Sequence, residues 1–520
     1  MSSPRDVVAA PLYGQRADTA NATVTNESIT VDQGADGVFG GYSYYYESRP
    51  WWSYSNSASR NTASVTGGNY TFLTTPAGDA IAVAGGYANR TADGNTVAIT
   101  GGTFSGGGVF GGFVEDSKGF ANTGSASSNT VTINGGSGQF DIIVGGHAYT
   151  SANVTGKNAS ASGNEVSISS DITVAGQEFV IDHQYRNVAL AGGLSTTEAS
   201  NNTVSISKGT YNGIVGGGMA LSQNGEASGN TLTISGGIIN GDVYGAWIHS
   251  GDAEDNTVNI AGTATIHGDI YALGIQSPSS AALSGTVNIT GQADLSEASV
   301  HGYSGNEQAS ESRDFLLNIR NYTGSIREVD TFHTMRISDG SDVTIGSIDG
   351  DVYHGSSWLG ETELSVEDSS LTAGSIVNFD SFDLKDASLT AEYVAGWSSP
   401  QMIDEFIQYS ITAQNTDIRI TQELTEYNTF SVQNNAANTV FLQAISGNRD
   451  STTNIQSGTV AIGSDISVTG GPSGSMTPPL PLTLPRRFRA TSRHRNPAME
   501  LPASPSASIP PPPPLPAPLP

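Results

Sequence analysis

The chain has 520 residues, 63 of them glycine, and only 13% are charged, which suits many short strands and tight turns and suits long helices badly. A formal net charge of −28 at pH 7 opposes contact with a polyanion, so nucleic acid is not expected as a partner. With no cysteine, the chain forms no disulfide, thiolate metal site or cysteine nucleophile.

Residues 1–20 read as a disordered N-terminal segment. They lack the apolar core of a signal peptide, and the chain holds no apolar run of about 18 residues, so no transmembrane helix is expected. An exported chain with this start would be a fragment or would have lost its leader. Next comes a burst of rings, Tyr42, Tyr44, Tyr45 and Tyr46 followed by Trp51, Trp52 and Tyr54, inside what reads as an insertion between repeats. Large rings can stack on sugars or anchor a protein interface. They can equally cap the open first coil of a solenoid.

Residues 21–305 repeat. One pattern recurs as Asn95-Thr-Val-Ala-Ile99, Asn129-Thr-Val-Thr-Ile133, Asn164-Glu-Val-Ser-Ile168, Asn202-Thr-Val-Ser-Ile206, Asn230-Thr-Leu-Thr-Ile234 and Asn256-Thr-Val-Asn-Ile260, with a degenerate copy at Gly285-Thr-Val-Asn-Ile289. A second alternates with it: Val83-Ala-Gly-Gly86, Val109-Phe-Gly-Gly112, Val144-Gly-Gly146, Leu190-Ala-Gly-Gly193, Val215-Gly-Gly-Gly218 and Val243-Tyr-Gly245. In the first pattern the apolar residues stand two apart, so Val97 and Ile99 share one face of a strand, as do Val131 and Ile133, Val166 and Ile168, Val204 and Ile206, Leu232 and Ile234, and Val258 and Ile260. A lone strand cannot cover that face. Stacking copies every ~4.8 Å lines these residues into an interior ladder, which predicts an all-β, right-handed parallel β-helix. The leading asparagines suit a turn and would stack as a ladder of their own, the pattern pairs are expected to supply two glycine turns per period, and pairs such as Gly101-Gly102, Gly135-Gly136 and Gly236-Gly237 are expected to make positive-φ corners.

From 306 to 471 the motif fades into less regular alternating segments, among them Phe315-Leu-Leu-Asn-Ile319, Glu363-Leu-Ser-Val366 and Asp417-Ile-Arg-Ile420, read as further coils. Residues 472–520 are proline-rich and carry Arg486, Arg487, Arg489, Arg493 and Arg495 on an otherwise acidic chain. This tail reads as disordered with polyproline stretches, as a linker, a ligand for proline-recognition modules, or an out-of-frame end.

The alternating motifs over 61–305, with Ile376-Val-Asn-Phe-Asp-Ser-Phe-Asp-Leu384, resemble the passenger region of autotransporters, the type V secretion proteins that include pertactin-like adhesins. That resemblance implies display at the cell surface or release outside a Gram-negative outer membrane. It further implies adhesion or host or biofilm contact with a surface protein or glycan, and an outer-membrane β-barrel supplied elsewhere. The serine-protease members' Gly-Asp-Ser-Gly motif has no match here.

No catalytic residue, metal ligand or cofactor is expected. The histidines stand singly, Asp351, His354 and Ser356 read as a chance cluster, and Gly135–Asp141 matches a calcium-binding nonapeptide imperfectly and without tandem repetition. Two other readings stay open: a secreted β-helix carbohydrate-active enzyme, with acidic and basic residues gathered on one face, and a truncated gene product without a working role.

Overall fold

The structure, a computed structural model, describes residues 10–468 apart from 46–53, 76–77, 116–122, 149–157, 182–183, 223, 278–281, 305–312, 351–352, 355–356, 359–361, 396–408 and 457. The described residues contain no helix, and strands dominate them. The predicted β-helix is present as a solenoid whose coils stack in parallel, in which a coil of chain passes through three faces before returning one strand spacing further on.

The first face is built by the Asn-Thr-Val motif. Strand Thr96–Ile99 pairs with Thr130–Ile133, which pairs with Glu165–Ile168, then Thr203–Ile206 and Thr231–Ile234, all parallel and without a register slip. Val97 therefore lies beside Val131, then Val166, Val204, Leu232 and Val258, with the matching isoleucines alongside from Ile99 to Ile260. All these side chains are buried. Each contributes ~1.5–3 kcal/mol that an isolated coil could not collect.

The second face is short, running from Asn69–Tyr70 through Thr103–Ser105 to Thr265–Ile266. The third is formed by the valine-glycine motif, in strands such as Gly108–Val114, Ile143–Ala148 and Ile214–Ala220. Its interior column runs Val83, Val109, Ile143, Leu190, Val215, Val243, Ile270. Two antiparallel hairpins interrupt the parallel stack in this half, Leu73–Thr74 against Ala80–Ala88 and Gln177–Ile181 against Gln184–Ser195. They account for part of the uneven repeat length, since the arms Leu73–Thr74 and Gln177–Ile181 are additions to third-face strands.

The asparagines form the predicted ladder, but in a different conformation from the one expected. Asn61, Asn95, Asn129, Asn164, Asn202, Asn230 and Asn256 are all buried, and none has a positive φ. The left-handed residue is the one before each: Arg60, Gly94, Ser128, Gly163, Asn201, Gly229 and Asp255, with φ from 57 to 67°. That kink turns the asparagine inward, where its Oδ1 accepts two bonds from the preceding coil. Asn95 donates to Asn129 Oδ1 through its backbone N–H at 2.8 Å and Nδ2 at 3.1 Å. The same pair of bonds joins Asn164 to Asn202 and Asn230 to Asn256.

The glycine pairs of the second motif are strand residues, not turns. A Cβ on Gly146 would lie 1.8 Å from the Ala126 carbonyl oxygen and 2.6 Å from Asn164 Nδ2, and Gly112 stands in the same relation to Ala92 and Asn129. The two sequence motifs are thus one device, in which glycine on the third face leaves room for the asparagine it faces. By contrast Gly102, Gly136 and Gly237 do have positive φ, as corners.

The ladder stops where Gly285 replaces asparagine, and there the facing column changes from Gly218 through Ala246 to Leu273. From Arg313 onward the second face merges with the third, and strand Arg313–Phe332 serves both the first and third faces. Some coils shorten, so Thr362 bonds Asp380 only 18 residues on, whereas Asn95 reaches 34. Strands on either side of residue 305 nonetheless share one sheet. The tail from 472 lies outside the described residues.

Candidate functional site on the outer face of the third sheet

The outer side of the third sheet carries two registered columns. One runs Tyr42, Tyr87, Phe113, His147, Leu194, Met219, Trp247, and the other Phe39, Ala84, Phe110, Val144, Ala191, Gly216, Tyr244, Tyr271, His301, Asp330. Such residues would normally meet solvent. Here they form a second apolar cluster, to which the hairpins add Leu73 and Phe179.

The aromatic burst enters this cluster. Tyr42 and Tyr44 are buried, and the Tyr42 ring stacks at 4.9 Å on Tyr87, which stacks on Phe113, which stacks at 4.4 Å on His147. Arg16 closes the N-terminal end, its guanidinium 5.1 Å above both Tyr13 and Tyr42 while its Nε bonds Asp18. Burial raises the Tyr42 phenol well above its usual range. Tyr45 meets Tyr54 edge-on at 4.8 Å, both half-buried. Tyr46, Trp51 and Trp52 lie outside the described residues. Tyr42 and Tyr44 thus pack within the fold.

Two titratable groups sit inside this layer. Glu115 is buried and accepts hydrogen bonds from the Tyr44 hydroxyl at 3.3 Å and from the Tyr87 hydroxyl. His147, wedged between Phe110, Phe113 and Phe179, has its pKa lowered by burial to about 3. It is a neutral ring in a stack, and sequence gave no sign of that because its neighbours come from other coils.

Further along, the second column turns polar and opens to solvent. Tyr244, Tyr271 and His301 stack at 4.9 and 4.6 Å, nearly parallel, and His301 Nδ1 lies 2.6 Å from Asp330. Asp242 accepts from the Tyr244 hydroxyl at 3.3 Å. Asp269 Oδ1 accepts from Ser299 N–H at 3.0 Å and from Arg327 Nη2 at 2.8 Å, and Arg327 also holds Ser299 Oγ. Burial, then the carboxylates of Asp269, Asp242 and Asp330, raise the Tyr271 phenol and keep it a donor. Its two ring faces are covered by Tyr244 and His301, so the strip offers edges, hydroxyls and carboxylates rather than a stacking platform.

Other sequence candidates resolve simply. Asp351 and Ser356 lie outside the described residues, as does the side chain of His354. Asp141 Oδ2 accepts from the Gly107 N–H at 2.8 Å and so ties two neighbouring coils together. Among the described residues no group of three or more His, Asp or Glu side chains is placed to hold a metal ion, and no helix is long and apolar enough to cross a membrane. No protein-family model matches the chain, and no curated protein matches it in sequence.

Proposed function

We propose that the chain is the passenger region of a type V secretion protein, a noncatalytic adhesin displayed at or released from a Gram-negative cell surface. The observation that carries this reading is the long parallel stack, in which one coil is completed by the next. A chain of that kind can cross a membrane unfolded and fold coil upon coil outside, and the lack of cysteine and the sparse charge suit such passage. Partners are surface proteins or glycans met along the faces of the solenoid.

The test joins the chain to an export signal and a translocating barrel in a non-adherent Gram-negative host. Protease-accessible display together with a several-fold rise in binding to host or sibling cells supports the proposal. Full display with no gain in binding removes it.

The gathering of Asp242, Asp269 and Asp330 with Arg327 on one face favours a second reading, a secreted carbohydrate-active enzyme. Release of new reducing ends from a polysaccharide panel, lost in Asp269→Asn, would replace the noncatalytic reading.

A further inference from the structure

Outward side chains of the first sheet also stand in columns. Thr257, Thr286, Leu316 and Thr334 lie side by side in one, and Asn259, Asn288, Asn318 and Arg336 in the next. The second is a surface amide ladder, since Asn318 Nδ2 donates to Asn288 Oδ1 and Asn288 Nδ2 to Asn259 Oδ1, both at 2.9 Å. Arg336 ends it. On the other side Asp255, with φ 57°, bulges from its strand where the register slips between Ala253 and Asn256, and Asp314 stands opposite Ser284.

Between these features lies a groove of about 390 Å³ lined by Asp255, Thr257, Thr286, Asp314, Leu316 and Arg336. It crosses four strands, so at ~4.8 Å per strand it extends roughly 14 Å along the stack. Asp255, Asp314 and Arg336 are exposed, and within the described residues neither carboxylate nor the guanidinium has a hydrogen-bond or ion-pair partner. This sets the groove apart from the Asp269 strip, where the acids are already bonded to the protein.

The geometry points to a binding groove for a neutral or N-acetylated oligosaccharide lying along the solenoid axis. Carboxylates and a guanidinium with free valences suit vicinal hydroxyls, the threonines add single donors and acceptors, and Leu316 gives a sugar face one apolar contact. A peptide strand is disfavoured because all four strands beneath are paired on both sides and offer no backbone edge. A polyanion is disfavoured by two carboxylates against one guanidinium and by the net charge of −28.

The groove names a ligand for the adhesion reading and rests on that reading only for its setting. The experiment places the purified full chain on an array of neutral and N-acetylated oligosaccharides, then titrates the bound ones against the chain, Asp314→Asn, Arg336→Gln and a remote control on the same face, Ser410→Ala. Wild type and control bind alike, and each groove variant binds about tenfold more weakly with an unchanged melting curve. Absence of binding to any oligosaccharide, or equal binding by the Asp314→Asn and Arg336→Gln double variant, overturns the groove. Displayed cells that adhere equally with the double variant also overturn it and leave adhesion standing. Glycan binding in solution by a chain that confers no adhesion keeps the groove and removes the adhesin.

Discussion

The two halves of the solenoid turn their corners with different residues. Between Asn61 and Asn256 a left-handed residue and a buried asparagine precede the first-face strand, whereas beyond Arg313 Thr331 and Asn378 are left-handed ahead of such a strand without an asparagine ladder, and Asn321, Gly340, Asp368, Asp386 and Asn415 are left-handed after it, at the corner that Gly102, Gly136 and Gly237 turn in the first half. What comes next there is Tyr322, Ser341, Ser369, Ala387 or Thr416 rather than one residue type. Ser369 still caps a neighbouring coil, its Oγ accepting from Ser341 N–H at 3.1 Å, and Thr416 N–H is capped in turn by Asn434 Oδ1 at 2.8 Å. Both halves therefore turn on left-handed residues, and the first half sets one uniform side chain beside them.

The largest effect is expected where the first half is tightest. Gly146→Val drives two methyl groups into the Ala126 carbonyl and the Asn164 amide, and little folded protein should be recovered on expression. Asn164→Ala breaks the ladder and strands amide groups of the coils on either side, lowering stability by roughly 2–4 kcal/mol, against about 1 kcal/mol for Ser369→Ala in the second half; urea unfolding followed by circular dichroism compares them. Equal losses would dissolve the distinction between halves.

The junction can be moved. Leu273→Gly alone should cost about 3–5 kcal/mol in the same assay, and adding Gly285→Asn should restore part of it by extending the ladder one coil, a coupling that independent sites would not show.

His147 gives a smaller, graded effect. Its folded pKa of about 3 lies below the unfolded value of 6.5, so the folded state binds fewer protons and stability falls as pH drops from 6.5 toward 3, by on the order of 1 kcal/mol per pH unit. His147→Phe should flatten that slope in pH-dependent urea midpoints. The smallest effect belongs to the exposed Lys208 and Asp171 pair, where Lys208→Ala should leave the midpoint unchanged within error.

Much of the first half was legible because its columns repeat one residue: Val97, Val131 and Val204 declare their register by sequence alone. The glycine pairs were misread as turns, since flexibility is the usual reason for glycine and the facing Asn164 or Asn202 is visible only in three dimensions. The second half was vague because its columns change chemistry at each coil, as from Asp330 to Asp349 to Val377 on the third face. The outer layer was least legible, because Tyr42, Phe113 and His147 meet across coils at no fixed spacing.

The buried amides also have a direction. From Asn61 to Asn230 every Nδ2 donates to the asparagine of the later coil, so these dipoles add head to tail instead of cancelling, and Asn256 Nδ2 ends the run by turning back to the Ala227 carbonyl. The carbonyl end is negative and faces the start of the chain, and the positive sense points toward Asn256, opposite to an α-helix. This half of the protein is electrically polar along its length, and the exposed carboxylate of Asp255, adjacent to Asn256, stands at the pole that favours a negative charge.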